Sequence, residues 1–251
     1  MAEHAHAHGF GALSWRQYRL ERRMFWRNPS AAFFNFLLPL LFLVLLCAVL
    51  TKQTDRNVIV PGIAGMAVLA TTFSALAYNT VFLREQGILK RIRGTPLPSG
   101  AYLLGIAGNA VTNTALQIVL IVLAGKAFYG IPWPRDVALL VLFVVLGVVC
   151  FASLGVALAH AIPTFEAATV YVNVIFLPLV FISIDARHDP AFLKGIAEAL
   201  PLAHLVDGLS AAIVTGAGVG DLWSAIGVLA LWTVLGVALA IRGFSWEQRR
   251  G

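Results

Sequence analysis

Charged residues are scarce in this sequence: Asp, Glu, Lys and Arg together make up 12% of its 251 residues. Soluble domains contain about 25%, so a water-exposed globular protein is excluded. The only two cysteines, Cys47 and Cys150, lie inside apolar runs, which excludes a disulfide-stapled secreted scaffold. Hydrophobic residues account for 59% of the chain. This excess predicts an all-α, polytopic membrane protein.

Six apolar runs are long enough to cross a bilayer, which takes about 20 residues of helix. The predicted spans are Ala31 to Leu50, Val58 to Leu83, Ala101 to Gly125, Val137 to Ala159, Phe165 to Ile184 and Leu222 to Ile241. Apolar character continues beyond Lys126, so the third span is the least defined in length. The predicted organisation is a tail with an interfacial helix at 1–30 and a six-span domain at 31–251.

The net charge of +6 is concentrated at the ends of the spans, which argues against a nucleic-acid partner. Twelve of the eighteen lysines and arginines lie before the first span, after the second or after the last. The other six lie on the opposite side. Because loops rich in Lys and Arg stay in the cytoplasm, both termini are predicted to be cytoplasmic.

The segment before the first span has the pattern of an amphipathic helix. Four arginines share one arc of the helical wheel, and Leu13, Leu20 and Met24 lie on the other side. The arginines are Arg16, Arg19, Arg23 and Arg27. Such a helix is expected to lie in the membrane interface, with its arginines against anionic lipid headgroups. A plain positive-inside anchor explains the same charges equally well.

A second amphipathic segment, 84–98, joins the second and third predicted spans. Ile88, Leu89 and Ile92 form one apolar stripe of a short helix. Charged residues surround the stripe: Arg84, Glu85, Lys90, Arg91 and Arg93. A short cytoplasmic helix between two membrane helices is suited to press into a groove on a soluble partner, with the stripe as anchor and the charges setting the register.

This segment resembles the hallmark of a known family, the membrane subunits of type-2 ABC exporters, above all the daunorubicin-resistance-like drug exporters of bacteria. Arg84 to Arg91 matches their Arg-Glu-x-Gly-x-x-Lys-Arg pattern, and Thr95-Pro96 matches the turn that follows. The resemblance implies an ATPase-coupling helix. It would be formed by Arg84, Glu85, Gly87, Ile88, Leu89, Arg91 and Ile92. It also implies a homodimer in the bacterial inner membrane, paired with two cytoplasmic ATPase subunits.

The region 185–220, before the last predicted span, contains two short stretches of helical periodicity, separated at Pro201. Each is too short to cross a bilayer. A pair of re-entrant or interfacial helices on the outer face is therefore expected. The same region carries a Pro-x-x-x-x-Val-Asp-x-Leu element, Pro201 to Leu209. The family resemblance implies that such an element caps the exit of the transport pathway.

No phosphate-binding Gly-x-x-x-x-Gly-Lys-Ser/Thr loop is present, and the only Gly-Lys pair, Gly125-Lys126, is followed by Ala127. The chain is therefore not expected to bind ATP or to act as an enzyme by itself. The resemblance implies that ATP and Mg²⁺ bind to the separate ATPase subunit. No cofactor and no metal are predicted on this chain.

Polar residues inside the predicted spans are uncharged and recur at helical spacing. They are Thr71, Ser74, Tyr78 and Asn79 in the second span, Asn109, Asn113 and Gln117 in the third, and Tyr171 and Asn173 in the fifth. Polar atoms in hydrocarbon need partners, so these faces are expected to point inward. They either join helices or line a pathway. The lack of mid-span acids and bases favours a transporter powered from outside the membrane.

The predicted cargo is hydrophobic or amphipathic: a drug, an antibiotic or a lipid. Polysaccharide or glycolipid export by the same architecture is an alternative. A membrane-embedded enzyme that uses the outer His188, Asp189, His204 and Asp207 is a rival of another class. An interaction subunit without transport activity is a third possibility.

Overall fold

The computed structural model describes residues 9–49, 52–95, 97–185 and 191–243. Within these ranges the regular structure is helical, without strands. The α-helices are α1 Phe10–Arg27, α2 Pro29–Val49, α3 Gln53–Leu69, α4 Ala75–Glu85, α5 Ile88–Arg93, α6 Ser99–Tyr129, α7 Val137–Ala159, α8 Phe165–Asp185, α9 Ala191–Ala199, α10 Pro201–Ser210 and α11 Trp223–Gly243. π-Helical turns at Ala70–Ser74 and Ala211–Thr215 continue α3 into α4 and extend α10.

Six helical stretches of the described chain are long and apolar enough to cross a membrane, which confirms the predicted number. They are Ala32–Val49, Arg56–Glu85, Gly100–Tyr129, Val137–Ala159, Phe165–Ser183 and Val219–Arg242. The second and third are longer than the predicted apolar runs. Hydropathy marks only the section suited to hydrocarbon, whereas the backbone hydrogen bonds of a helix continue through polar residues such as Arg56 and Lys126.

The bundle has two ends, which we name by their contents. The α5 end contains α5 and residues 160–164, and the far end contains residues 130–136 and 216–222. The second span is the most enclosed: in an 18-residue stretch of it, 67% of the residues are buried inside the bundle. The fifth is the least enclosed, with 11% buried in the corresponding stretch. The second span therefore forms the centre of the packing, and α8 lies at its surface.

The helix α10 packs unusually close to its neighbours because glycines face it. A Cβ atom at Gly147 of α7 would lie 2.8 Å from the Leu205 side chain, and one at Gly65 of α3 would lie 2.7 Å from Val206. On α10 itself, a Cβ at Gly208 would lie 2.1 Å from the Phe143 ring. These approaches leave no room for a methyl group, so α10 is inserted between α3 and α7.

The α9–α10 pair extends along the bundle from the far end, with α10 buried and the described part of α9 largely exposed. The indole Nε1 of Trp232 donates a hydrogen bond to the Ala199 carbonyl at 2.9 Å. Trp232 lies nine residues into α11, which corresponds to about 14 Å of helix. At the far end, the backbone N–H groups of Arg135 and Asp136 donate to the Ala212 carbonyl. The turn at Leu200–Pro201 thus lies about halfway along α11, and its depth in a bilayer stays a prediction.

Candidate functional site

The chain leaves the second span through a glycine turn. α4 ends at Glu85, and Gly87 follows with φ of +65°, in the left-handed region that glycine adopts without strain. The N–H groups of Gln86 and Gly87 donate to the carbonyls of Phe82 and Arg84. α5 starts directly after the turn, at Ile88. Arg84 and Glu85 therefore belong to the spanning helix and not to the short amphipathic helix in which they were expected.

The apolar stripe of α5 faces the protein's own helices. Leu89 is 2% exposed, in a cluster with Tyr102 and Ile106 of α6. Ile92 packs at the edge of the same cluster. Ile88 is half-buried. The remaining members of the cluster come from α4 and α7: Leu76, Ala152 and Val156.

α5 and the turn before it present polar side chains on the outside of the protein. Gln86, Lys90 and Arg91 are all exposed. The sequence pattern predicted that the apolar stripe would anchor a partner. Since Leu89 and Ile92 pack internally, the surface that α5 and its turn present to a partner includes these three polar side chains.

Arg84 is bound inside the chain. Its side chain is 8% exposed, its Nη1 donates to the Ala159 carbonyl at 2.8 Å, and its Nη2 donates to the Ile162 carbonyl. Ala159 is the last residue of α7, where carbonyl groups lack partners within the helix. A guanidinium group at a helix C-terminus also interacts favourably with the helix dipole. Arg84 thereby fastens the end of α7 to the end of α4.

Glu85 makes the complementary contact with the next helix. Its Oε1 accepts a hydrogen bond at 2.7 Å from the N–H of Phe165, the first residue of α8. N–H groups of the first turn of a helix have no partner within it, and a carboxylate there is stabilising. The Phe82 and Phe165 rings also touch edge to face, with centroids 5.6 Å apart. Adjacent residues of α4 therefore hold the end of α7 and the start of α8.

His160 extends this junction to the last span. Burial is the main cause that lowers the pKa of His160, and the charge of Arg84 lowers it further. A hydrogen bond with the Ala240 backbone of α11 acts in the opposite direction. The ends of the second, fourth, fifth and sixth spans thus meet beside α5.

α1 lies along α6, with its four predicted arginines on the outside. Phe10 is close to Gly100 and Gln17 is close to Gly105, where a Cβ atom would lie 2.5 Å from the Gln17 side chain. Arg16, Arg19, Arg23 and Arg27 are exposed. The contacts move along both helices in step. α1 therefore packs side by side with the first half of α6, a contact that the interfacial-helix prediction did not include.

Arg22, which the sequence pattern did not single out, makes the main polar contact between these helices. Its Nη1 donates to Asn113 Oδ1 at 2.5 Å, and the Tyr18 and Thr112 hydroxyls are 3.2 Å apart. Beside them, burial raises the pKa of Glu21, although a hydrogen bond from Gln17 lowers it. No sequence signal distinguishes Arg22 from the neighbouring arginines, because its partner lies 91 positions away.

The polar residues of the third span connect helices. Thr71 Oγ1 donates to Gln117 Oε1 at 2.7 Å, and Gln117 Nε2 donates to the Asn35 carbonyl at 2.6 Å. Asn109 Oδ1 is buried without a hydrogen-bond partner in the described chain. Together with the Arg22 contact of Asn113, these bonds link α6 to α1, α2 and the π-helical turn of the second span.

The other predicted lining residues are not all drawn into this network. Ser74, Tyr78 and Asn79 are half-buried on the second span. On α8, Tyr171 is 42% exposed, and Asn173 Nδ2 donates to the Thr169 carbonyl of its own helix. Their role as pathway lining stays a prediction.

The rival metal or hydrolytic site is not assembled within the described chain. The Nε2 of His204 lies 2.8 Å from the Glu198 carbonyl, and Asp207 has an interaction partner. No group of three metal-binding side chains occurs among the residues the structure describes. His188 and Asp189 lie outside those residues.

Comparison with known proteins defines the class. The family model described as ABC-2 type transporter matches residues 8–214, so this multi-pass membrane protein belongs to the ABC-2 type transporter family. Nodulation protein J of Neorhizobium galegae is 24% identical over 176 residues, which make up 69% of this chain and 66% of that protein. The probable multidrug ABC transporter permease YbhR of Escherichia coli is 21% identical over 180 residues. That match covers 70% of this chain and 48% of YbhR.

Proposed function

We propose that this chain is the membrane-spanning subunit of an ATP-driven exporter in a bacterial inner membrane. Two copies form a dimer that pairs with two cytoplasmic ATPase subunits, which bind ATP and Mg²⁺. The proposal extends the permease and transporter names of its family and relatives. The resemblance to daunorubicin-resistance-like exporters supports a role in drug export.

The observation that carries the proposal is the junction at the α5 end. The polar side chains of Gln86, Lys90 and Arg91 are exposed beside the meeting point of four spans. An ATPase that pressed on this surface would displace the ends of several spans together. Alternating access between inward-open and outward-open states follows from such a displacement.

The proposed cargo is a hydrophobic or amphipathic molecule, such as a drug, an antibiotic or a lipid. The polar side chains of the spans, including Thr71, Asn113 and Gln117, are uncharged. Thr71 bonds to Gln117, Gln117 bonds to the Asn35 carbonyl, and Asn113 bonds to Arg22 of α1. Such walls are suited to uncharged or amphipathic cargo better than to an ion. A polysaccharide is the alternative cargo for the same architecture.

The exposed arginines of α1 have a proposed role at the lipid surface. Arg16, Arg19, Arg23 and Arg27 are exposed, and so are Trp15 and Trp26 on the same helix. Basic side chains bind anionic headgroups, and tryptophan favours the membrane interface. This face of α1 would hold the cytoplasmic end of α6 against the inner leaflet.

Site-specific photo-crosslinking tests the pairing. The chain is produced together with the ABC ATPase proposed as its partner, and a photoreactive amino acid replaces Gln86 or, as the control, Trp133. Both residues are exposed, at opposite ends of the bundle. We expect a crosslink to the ATPase from position 86 only. Crosslinking from position 133, or from neither position, contradicts the proposal.

Transport assays then identify the cargo class. Sealed inverted vesicles containing both subunits are offered an amphipathic dye, a fluorescent phospholipid or a lipid-linked oligosaccharide. We expect ATP-dependent accumulation of the dye or the phospholipid, blocked by vanadate. Accumulation of the oligosaccharide alone would assign the alternative cargo, and accumulation of none would contradict export of these classes.

A further inference from the structure

We propose that Arg84 and Glu85 are positioning residues that transmit the displacement of α5 to the fourth and fifth spans, and that neither contacts the ATPase. The inference rests on the proposed function, because an ATPase must supply the displacement. It assigns to these two residues a role inside the chain, in place of the role at the partner surface that their charges suggested.

The contacts of Arg84 and Glu85 lie at the same connection between two helices. Arg84 binds the carbonyls of Ala159 and Ile162, and Glu85 binds the N–H of Phe165. These three acceptor and donor groups bracket the whole connection between α7 and α8. All of them are backbone groups, so a movement of the end of α4 pulls directly on α7 and α8.

Arg84 and its neighbours differ in their exposure to a partner. Arg84 is 8% exposed, and both of its terminal nitrogens are engaged within the chain. Gln86 and Arg91, by contrast, are exposed on the adjacent turn and helix. A soluble partner can reach Gln86 and Arg91 without opening the bundle, whereas it cannot reach Arg84. The segment thus divides into an outward-facing part and an inward-facing part.

Hydrogen bonding and charge can be separated at Glu85 by substitution. In its observed contact, Glu85 uses one oxygen as an acceptor for the Phe165 N–H. Glutamine offers an amide oxygen that accepts the same bond without a charge. Glu85→Gln should therefore behave like the parent, and Glu85→Ala should not. A residue that acted as a charge towards the ATPase would fail in both variants.

The donor can be removed as well, because Phe165 is the first residue of α8. Proline is tolerated at the first position of a helix and has no N–H. Phe165→Pro thus deletes the donor of the bond to Glu85. Phe165→Ala is its matched control, since it removes the same ring contact with Phe82 but keeps the N–H.

Hydrogen exchange tests the tether on the chain alone, whatever its partner. We expect the Phe165 amide to exchange at least about tenfold faster in Glu85→Ala than in the parent. In Glu85→Gln the rate should rise by less than about fivefold, because the amide oxygen still accepts the bond and only the attraction of the charge to the helix dipole is lost. Equal exchange in Glu85→Ala and the parent overturns the proposal.

Transmission is tested with the ATPase present. Spin labels at Val174 of α8 and Val119 of α6, both exposed, report whether trapping the ATPase with vanadate moves the fifth span. We expect a shift of the distance in the parent, in Glu85→Gln and in Phe165→Ala. The shift should be absent in Glu85→Ala and in Phe165→Pro.

The outcomes separate the two proposals. If no ATPase is trapped, the proposed function fails, and transmission fails with it. If the ATPase is trapped but the shift persists in Glu85→Ala or is absent from the parent, only the positioning role fails. If Glu85→Ala does not fold, Phe165→Pro and Phe165→Ala still distinguish the bond from the ring contact.

Discussion

The contact between the second and fourth spans has no room for a side chain at Gly155. A Cβ atom there would lie 2.4 Å from the Phe73 carbonyl oxygen and 3.0 Å from the Phe73 Cα. Both atoms belong to the backbone of the π-helical turn, so no change of rotamer can relieve the overlap. We therefore expect Gly155→Ala to push α7 away from the second span.

The magnitude follows from a matched substitution. Gly→Ala inside a helix stabilises by about 1 kcal/mol through helix propensity, and overpacking costs about 1–3 kcal/mol. At Gly227 of α11 a Cβ atom would meet nothing within 4 Å. The propensity gain is similar at both sites, so the difference between the two variants isolates the packing cost. Gly155→Ala should be about 1–3 kcal/mol less stable than Gly227→Ala.

Unfolding of the purified protein in mixed micelles, followed by circular dichroism as the denaturing detergent is increased, measures this difference. A destabilised Gly155→Ala together with an unchanged or stabilised Gly227→Ala supports the packing. Equal stability of the two variants would refute the close approach of Gly155 to Phe73. Gly155→Ser, which also adds a Cβ, provides an independent repeat of the measurement.

Three further predictions concern single contacts. Because burial and Arg84 lower the pKa of His160 below its ordinary value of 6.5, the unfolded chain binds the proton more readily, and stability falls as the pH drops below about 6.5. His160→Asn should show a smaller loss between pH 7.5 and pH 5.5 in thermal unfolding, and an identical loss would contradict this cause. Gln117→Leu leaves the Thr71 hydroxyl and the Asn35 carbonyl without their partner and should cost about 1–3 kcal/mol. The cost should be smaller in a Thr71→Val background, and full additivity of the two substitutions would count against the bond. Arg22→Ala breaks the contact of α1 with Asn113, so it should increase proteolysis of α1, whereas Arg23→Ala, which removes an exposed arginine, should leave proteolysis of α1 unchanged. The reverse pattern would show that α1 is placed wrongly.

The number of spans could be predicted because it depends on a local quantity, the length of apolar sequence. The fourth span, Val137–Ala159, has its predicted ends. The second and third extend beyond theirs, since polar residues such as Arg56 and Lys126 continue a helix whose backbone bonds do not depend on side-chain polarity. The π-helical turns at 70–74 and 211–215 have no marker in the sequence. They are set by packing against other helices.

The candidate site shows the same limit. Periodicity correctly gave α5 a single apolar face, but it cannot tell whether that face is covered by a partner or by the chain itself. In the structure, Leu89 packs against Tyr102 and Ile106. Likewise, the charges of Arg84 and Glu85 suggested a surface, while their partners lie 75 to 80 positions further along the chain. Contacts between residues so far apart in the sequence cannot be inferred from the local spacing of residue types.

The side of the membrane on which α5 lies tests the account most directly, because an ATPase docks on α5 only from the cytoplasm. In a chain without Cys47 and Cys150, single cysteines replace Gln86 or Trp133, which are exposed at opposite ends of the bundle. An impermeant thiol reagent is added to intact cells and to inverted vesicles. The account predicts labelling at position 133 but not at 86 in cells, with the opposite result in vesicles. Labelling of position 86 in intact cells would contradict it.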